Sequence, residues 1–255
     1  MPSFILSGNS SDFITVHDSL HLDPNKTYEA AFLSLESYNS IPNIIEGRNN
    51  VLKYSIDKGL SWKSIVFHTG AYELQAINNE VKRQIIVNGD DDSAISITAN
   101  ISRLTAIVNI ENQSYQVDFT DNNSLASQLG FEKTVIGFGY NEGTSIVNIM
   151  PVNSILVNVD IIIGSFVNGR QSPTIYSFHP NVSPGFKVVE RPTTLIYYPL
   201  SRHDISRIRL WLTDQDGNLI DLRGETITIR IHVRETNSIF EEVSKISKLI
   251  SKLNI

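Results

Sequence analysis

The chain has 255 residues, of which 41% are hydrophobic and 19% charged, and its formal net charge is −6 at pH 7. This acidic balance argues against a protein that coats nucleic acid, because binding to phosphates needs a concentrated positive surface. The absence of cysteine excludes disulfides, thiolate catalysis and cysteine-based zinc sites. No secretory leader is recognisable, and no apolar run reaches the roughly 18 residues of a membrane span, so we expect a protein made inside the cell.

Short runs of β-branched and aromatic residues recur between Gly, Pro, Asn and Asp residues, which is typical of β-strands. The predicted strands are residues 4–7, 12–17, 27–39, 51–56, 62–68, 94–99, 104–110, 114–119, 154–163, 194–200, 207–214 and 225–233. In residues 207–212 and 226–233 apolar and polar side chains alternate, so one face of each strand is expected to be buried. This pattern predicts an antiparallel β-sandwich and argues against a parallel α/β fold.

Two short helices are predicted as insertions between strands. The first covers residues 71–85, and its apolar residues form one stripe at helical spacing. These residues are Leu74, Ile77, Val81 and Ile85. The second lies within residues 123–131, with Asn123 or Ser124 as the N-cap and Gly130 as the C-terminal stop.

The stretch of residues 164–193 is punctuated by glycine and proline. Proline lacks a backbone N–H, so a central strand is excluded over much of this segment, and we predict a long surface excursion with turns. Long loops on sandwich folds often carry contacts with partners, and proline makes such loops rigid. The candidates for assembly contacts here are Pro173, Pro180, Pro184 and Phe186.

After the last predicted strand the pattern changes to that of an amphipathic helix. Its apolar residues are spaced four, three, four and three apart, as in a heptad repeat. They are Ile239, Val243, Ile246, Ile250 and Leu253, which are also candidates for assembly contacts. We expect this helix to dock on its own domain or on a neighbouring subunit. The alternative is a tail that binds a partner, which could be the interior of an assembled shell, another protein, or a membrane surface through Lys245, Lys248 and Lys252. The predicted domains are therefore a β-sandwich with insertions over residues 1–234 and a helical tail over residues 235–255.

Three segments imitate known functional sites. The sequence DQDG at residues 214–217, followed by Glu225, resembles a calcium loop, but no helix is predicted on either side. We interpret it as a hairpin turn between two strands, with residues 223–225 as a second bend into the last strand. The run DDD at residues 90–92 is interpreted as a solvated loop, and the glycine-rich residues 137–143 as a flexible turn.

The histidines and aromatic residues do not indicate a catalytic site. No two histidines have the spacing of a metal-binding helix or a His-x-His pair, and no Gly-x-Ser-x-Gly motif supplies a nucleophile. Four aromatic residues are candidates for stacking on a sugar or base, although aromatics in alternating strands more often belong to a core or an interface. They are Trp62, Trp211, Tyr197 and Tyr198. We expect no enzymatic activity, no cofactor and no metal.

Three long segments together resemble a known protein family. They are residues 22–44 (LDPNKTYEAAFLSLESYNSIPNI), 173–200 and 208–233, and residues 124–131 (SLASQLGF) lie between the first two. The family comprises the minor capsid, or penton-like, proteins of Polinton/Maverick-type elements and adintovirus-like viruses. The resemblance covers most of residues 4–233 and implies a single jelly-roll β-sandwich, because a double jelly roll would need a much longer chain.

The resemblance implies a structural subunit of an icosahedral virion, present as a homopentamer at the five-fold vertices and without catalytic residues. Its partners would be copies of itself, the major capsid protein or other virion proteins, and a host-cell receptor. The expected fold class is all-β: a single jelly-roll antiparallel β-sandwich with short helical insertions and a C-terminal amphipathic helix. A receptor- or carbohydrate-binding β-sandwich is the alternative, and a metal-dependent enzyme on a jelly-roll scaffold is a third hypothesis.

Overall fold

The computed structural model describes residues 2–236, and the chain divides into two compact units. One unit combines the chain up to Asn39 with the chain from Val152 onward, and the other is the continuous segment Ser40–Pro151. The predicted boundary at residue 234 lies within the last strand, which ends at Glu235. The predicted tail residues lie outside the described part of the chain: Ile239, Val243, Ile246, Ile250 and Leu253.

The strands are numbered in chain order. The first ten are β1 (Ser3–Gly8), β2 (Asp12–His21), β3 (Tyr28–Tyr38), β4 (Val51–Ser55), β5 (Lys63–Val66), β6 (Ile95–Asn100), β7 (Thr105–Ile110), β8 (Gln116–Asp118), β9 (Val135–Ile136) and β10 (Gly139–Glu142). The others are β11 (Ile155–Val159), β12 (Ser165–Val167), β13 (Arg170–Ser172), β14 (Thr174–Phe178), β15 (Lys187–Glu190), β16 (Tyr197–Pro199), β17 (Asp204–Thr213) and β18 (Ile227–Glu235). The α-helices within residues 2–236 are α1 (Leu74–Val87) and α2 (Ala126–Leu129).

The first unit, which we call the sandwich unit, contains two antiparallel sheets. One has the strand order β1-β18-β3-β15, with β16 pairing with β3 further along the same strand, and the other has the order β14-β11-β17-β2. Strands that follow each other along the chain, such as β1 and β2 or β17 and β18, therefore belong to opposite sheets. This interleaving is the jelly-roll arrangement, so the predicted all-β jelly-roll fold is confirmed.

The core of the sandwich unit follows from alternation along its strands. In β17 and β18 the buried apolar residues alternate with exposed or half-buried polar ones. The buried set of this unit includes Leu6, Ala30, Phe32, Leu35, Val157, Val159, Ile175, Ile208, Leu210, Leu212, Ile227, Ile229, Ile231 and Val233. Each large apolar side chain contributes about 1.5–3 kcal/mol when it is fully removed from water.

The second unit, which we call the inserted unit, has a core of its own. Its sheets have the orders β10-β7-β6 and β5-β4-β8-β9, and α1 packs against β6. The core includes Leu52, Tyr54, Ile65, Phe67, Val108, Val117, Phe119 and the predicted stripe residues Ile77, Val81 and Ile85. The two predicted helical insertions are thus present, but they belong to a separate β-rich unit in the connection between β3 and β11.

The sequence correctly predicted the C-terminal end of α2 but not its N-terminal end. Gly130 has a φ of 73° and forms the left-handed C-cap, as predicted. The predicted N-cap at Asn123 or Ser124 is wrong, because Leu125 occupies that position without a side-chain cap. The Ser124 hydroxyl instead donates a hydrogen bond to the carbonyl oxygen of Phe119 at 2.9 Å. The side chain of Ser124 therefore closes the loop before α2 and does not cap the helix.

Asp90 is not the solvated residue that the DDD run suggests. Its side chain is 8% exposed and accepts hydrogen bonds from Lys63 and from the Tyr54 hydroxyl, each at 2.6 Å. Burial raises the pKa of Asp90, but these two partners outweigh it and leave the pKa below its ordinary value. The interpretation of residues 90–92 as a solvated loop is therefore wrong for Asp90, because its partners come from strands that are distant in sequence.

The glycine-rich residues 137–143 do not form a flexible turn. They contain β10, which pairs with β7 along Gly139–Glu142 at the edge of its sheet. Side chains fix this edge further, since Glu142 accepts hydrogen bonds from Thr105 (2.5 Å) and Asn100 (3.0 Å). The prediction is wrong because pairing with a neighbouring strand overrides the low strand propensity of glycine.

The prediction of a surface excursion over residues 164–193 is wrong in part, because the segment contains four short strands. Strands β12 and β13 form a hairpin closed by Asn168 (φ 50°) and Gly169 (φ 76°), the two-residue turn that an Asn-Gly pair favours. Strands β14 and β15 are both at the ends of their sheets. Prolines nearby are compatible with these positions because an edge strand needs ladder hydrogen bonds on one side only.

Candidate assembly surface

The side chains of residues 2–236 contain no group of three or more His, Asp or Glu that could hold a metal ion. No helix in this part of the chain is long and apolar enough to cross a membrane. Two histidines lie within hydrogen-bond distance of carboxylates at the surface. His21 is 2.5 Å from Asp204, and His68 is 2.8 Å from Glu46. Exposed pairs of this kind contribute little to stability.

The DQDG segment is a turn whose carboxylate is used internally. The carboxylate of Asp214 accepts hydrogen bonds from the backbone N–H groups of Asp216 (2.9 Å) and Asn218 (2.8 Å). Burial raises the pKa of Asp214, but these hydrogen bonds outweigh it and leave the pKa below its ordinary value. The predicted turn is confirmed, and so is the second bend, where Arg223 and Gly224 both have positive φ.

The prediction of a hairpin around this turn is wrong, however. Strands β17 and β18 lie in opposite sheets. The segment after the turn forms a bridge to β17 between Leu219 and Thr213, and the chain then crosses to the other sheet. The alternating patterns on both sides of the turn predicted the strands themselves, but alternation carries no information about which strands pair.

The four predicted aromatic residues are divided between the two units. Trp62 belongs to the inserted unit, and the other three belong to the sandwich unit. The ring of Tyr197 is covered by the guanidinium of Arg234 at 3.4 Å, and its hydroxyl is 3.0 Å from His232. Trp211 is half-buried on β17. Tyr197 is therefore used in contacts within its own unit. The ring of Trp211 likewise carries the guanidinium of Arg209, 4.9 Å from its centroid, and Trp211 also lines a groove.

The loop before β15 contains two of the predicted assembly residues, Pro184 and Phe186. The carbonyl oxygen of Ser183 accepts a hydrogen bond from the N–H of Phe186 at 3.2 Å, and Gly185 has a φ of 83°. Proline followed by glycine with positive φ is the pattern of a type II turn. The turn places Pro184 and Phe186 at the surface, where the Phe186 side chain is 66% exposed.

Asn39 holds this turn against the end of β3. Its backbone N–H donates to the Phe186 carbonyl (2.9 Å), and its carbonyl accepts from the Gly185 N–H (2.8 Å). Its side-chain amide donates to the Val182 carbonyl at 2.8 Å. Three hydrogen bonds therefore fix the position of an exposed phenylalanine. Asn39 was not among the predicted site residues, although an amide residue at the end of a long predicted strand is a common anchor for a turn.

The exposed apolar surface continues from Phe186 along the edge of the sheet. Tyr38 and Val189 are also exposed, and they lie on the paired strands β3 and β15. Between them the Lys187 ammonium is 2.8 Å from the carboxylate of Glu36, whose pKa is lowered by that contact. We call Tyr38, Phe186 and Val189 the β15 edge.

The remaining predicted residues are less accessible. Pro173 is half-buried directly before β14, and its carbonyl accepts a hydrogen bond from the N–H of Val159 at 2.9 Å. Pro180 is buried. Of the candidates that fall within residues 2–236, only Pro184 and Phe186 are exposed to a partner.

A second exposed apolar edge lies on β2, which ends the sheet β14-β11-β17-β2. Ile14 and Val16 point away from the core of the unit and are 52% and 77% exposed. We call these two residues the β2 edge. The sequence contained a signal for it, because the predicted strand 12–17 carries apolar residues on both faces, which a strand with one wet face does not need. Long apolar edge strands are surfaces that pair readily with another chain.

No protein-family model matches the chain, and no curated protein matches it. Among solved structures, the chain is similar to a crystal structure of the mavirus penton protein, with 11% sequence identity and a TM-score of 0.48. The match covers 92% of this chain and 99% of that chain.

Proposed function

We propose that the chain is a structural capsid subunit that assembles with copies of itself, and that it forms the homopentameric penton, or minor capsid protein, of an icosahedral virion. The observation that carries this proposal is the pair of exposed apolar edges on the jelly roll, β2 on one side and β15 on the other. Monomeric proteins usually cover or charge such edges. Within residues 2–236 both edges are exposed, and two such edges on one subunit are suited to contacts with neighbouring copies.

The two edges lie on opposite sides of the sandwich. Phe4 on β1 contacts His17 on β2 with ring centroids 4.9 Å apart, so β1 and β2 border one side. Tyr176 on β14 donates a hydrogen bond to Glu190 on β15 at 2.7 Å, so β14 and β15 border the other. A contact between two different edges is heterologous, and a heterologous contact closes into a ring when the rotation between subunits allows it. This geometry supports a cyclic oligomer.

The resemblance of residues 22–44, 173–200 and 208–233 to penton-like proteins of Polinton/Maverick-type elements and adintovirus-like viruses supports the same assignment. The first and second of these segments contain the residues of the β15 edge. On this proposal the partners are identical subunits, the major capsid protein and other virion proteins, and the protein resides in the virion. The role is one of assembly and involves no catalysis.

A mixing experiment tests the head-to-tail arrangement. Val16→Arg places a charge on the β2 edge, and Val189→Arg places one on the β15 edge, while Leu60→Arg changes an exposed apolar residue of the inserted unit as a control. We expect the full chain and the control to form a closed oligomer in light scattering, and each edge variant alone to remain monomeric. An equimolar mixture of the two edge variants has one intact pair of edges and should stop at dimers. If either edge variant alone still forms the full oligomer, the arrangement is wrong.

A further inference from the structure

A groove of about 570 Å³ lies on the outer face of the sheet β14-β11-β17-β2. Its floor is formed by β11 and β17, including Asn158 and Trp211, and its walls are the hairpin β12–β13 and the turn at residues 215–217. The volume is within the range of about 300–1,000 Å³ that is typical of small-molecule sites. All of these elements belong to the sandwich unit.

Both walls of the groove are tight turns with fixed geometry. One is the two-residue turn at Asn168 and Gly169, closed by the pairing of Val167 with Arg170. The other is the turn held by Asp214, whose carboxylate binds the backbone N–H groups of the next residues. Rigid walls reduce the entropic cost of binding, because no loop has to be ordered when the ligand arrives.

The floor is stabilised by a buried polar network at an irregularity of β11. The register between β11 and β14 shifts at Asn158, which is 3% exposed. Its side-chain oxygen accepts a hydrogen bond from the Thr174 hydroxyl at 2.7 Å, and its amide nitrogen donates to the carbonyl of Trp211 at 3.3 Å. Bulges of this kind occur frequently beside binding sites, where they redirect side chains.

Trp211 offers both an apolar surface and a hydrogen-bond donor. The guanidinium of Arg209 lies 4.9 Å from the centroid of the ring and is itself held by Asp12 through hydrogen bonds of 2.9 and 2.6 Å, which fixes the position of the indole. The indole N–H has no hydrogen-bond partner within residues 2–236. A tryptophan that is held in place at the floor of a groove is an amphipathic platform with low entropic cost.

We propose that this groove binds a neutral saccharide of one or two sugar rings. A sugar ring has an apolar C–H face that can pack on Trp211 and hydroxyl groups that both donate and accept hydrogen bonds. The rim supplies matching groups, namely the exposed amides of Asn168 and Gln171, the guanidinium of Arg170 and the carboxylate of Asp216. Because Arg170 and Asp216 carry opposite charges, the rim gives a strongly charged ligand little net electrostatic attraction. This binding activity goes beyond the capsid role and does not depend on it.

The chain contains two tryptophans, so a Trp62→Phe background makes Trp211 the sole tryptophan reporter. The probes are the methyl glycosides of glucose, galactose, mannose and N-acetylglucosamine, with N-acetylneuraminic acid as the charged comparison. We expect a saturable change of Trp211 fluorescence with at least one neutral glycoside, with a Kd in the millimolar range. Gln171→Ala and Asp216→Ala, at exposed positions, should each weaken this binding by about 3- to 10-fold.

Gln75→Ala, at an exposed position on α1, is the matched control and should leave the Kd unchanged. The proposal is overturned if none of the neutral glycosides gives a saturable signal, if only N-acetylneuraminic acid binds, or if binding persists unchanged in both rim variants. Because the measurement uses unassembled protein as well as any oligomer, a failure to assemble leaves this result interpretable.

Discussion

The phenol ring of Tyr176 on β14 lies parallel to the ring of Phe32 on β3, with centroids 4.4 Å apart and an interplanar angle of 5°. The two strands belong to opposite sheets, so the pair connects the halves of the jelly roll. The Tyr176 hydroxyl extends this connection by donating to Glu190 on β15. Burial and the neighbouring Glu190 carboxylate raise the pKa of Tyr176 to about 12, so the hydroxyl keeps its proton at neutral pH.

Truncation of this pair should destabilise the sandwich unit. Phe32→Ala removes a buried ring and is expected to cost about 3–5 kcal/mol, whereas Tyr176→Phe removes one hydrogen bond and is expected to cost about 1 kcal/mol. Urea unfolding followed by circular dichroism measures both. Phe166→Ala, at a side chain that is 68% exposed, should change the free energy of unfolding by less than about 0.5 kcal/mol. Equal effects of Phe32→Ala and Phe166→Ala would contradict the role of the stacked pair.

The exposed phenylalanine of the β15 edge should act on assembly and not on stability. Phe186→Ser removes an apolar side chain that makes few contacts in its own subunit, so the melting temperature should stay within a few degrees of the parent. The proposed oligomer of this variant should dissociate at a higher protein concentration than that of the parent, as measured by sedimentation velocity. Phe166→Ser is the matched control, because the two side chains are almost equally exposed. If both changes weaken the oligomer equally, Phe186 does not contribute more to the interface between subunits than Phe166.

Two glycines with left-handed backbone provide a matched pair in the inserted unit. Gly89 has a φ of 77° and open space around an added Cβ, so Gly89→Ala should cost about 1–2 kcal/mol from backbone strain alone. Gly130 has a φ of 73°, and an added Cβ would clash with the backbone oxygen of Ser145. Gly130→Ala should therefore lower the thermal stability more than Gly89→Ala. The reverse order in calorimetry would show that the contact between Gly130 and Ser145 is wrongly placed.

Acid should weaken the inserted unit through Asp57. Hydrogen bonds from the hydroxyls of Ser61 and Ser55 and from the Ser61 N–H lower the pKa of Asp57 from 3.8 to about 2. Because the folded pKa is below the unfolded one, this contribution to stability is complete above about pH 4 and is lost as the pH falls towards 2. A carboxyl titration by NMR should show this low pKa in the parent and a higher value in Ser61→Ala. An ordinary pKa in the parent protein would contradict the hydrogen-bond geometry.

The sequence predicted where the strands lie, because alternation and β-branched residues are local signals. Strands β17 and β18 begin and end within a few residues of the predicted limits. Sheet membership could not be predicted in this way, since β1 pairs with β18 across almost the whole described chain. The separate core of Ser40–Pro151 could not be predicted either, because the strands of this segment have the same local pattern as those of the sandwich unit.

The candidate sites were predicted unevenly. Proline and glycine before β15 indicated the turn that exposes Phe186, whereas the three hydrogen bonds of Asn39 depend on tertiary contacts that no local pattern contains. The hairpin at Asn168-Gly169 was visible as a dipeptide but was missed, because its flanking strands are short and polar. The groove beside Trp211 depends on that hairpin, so it was missed as well.

A jelly roll that closes into a ring with copies of itself, as proposed, should give one discrete assembled species in solution. Sedimentation velocity of the full chain over a range of protein concentrations and salt conditions, with electron microscopy of the same samples, tests this proposal. We expect a discrete species with the mass of five chains and ring-shaped particles with five-fold symmetry. A chain that stays monomeric at every concentration and salt condition would contradict it.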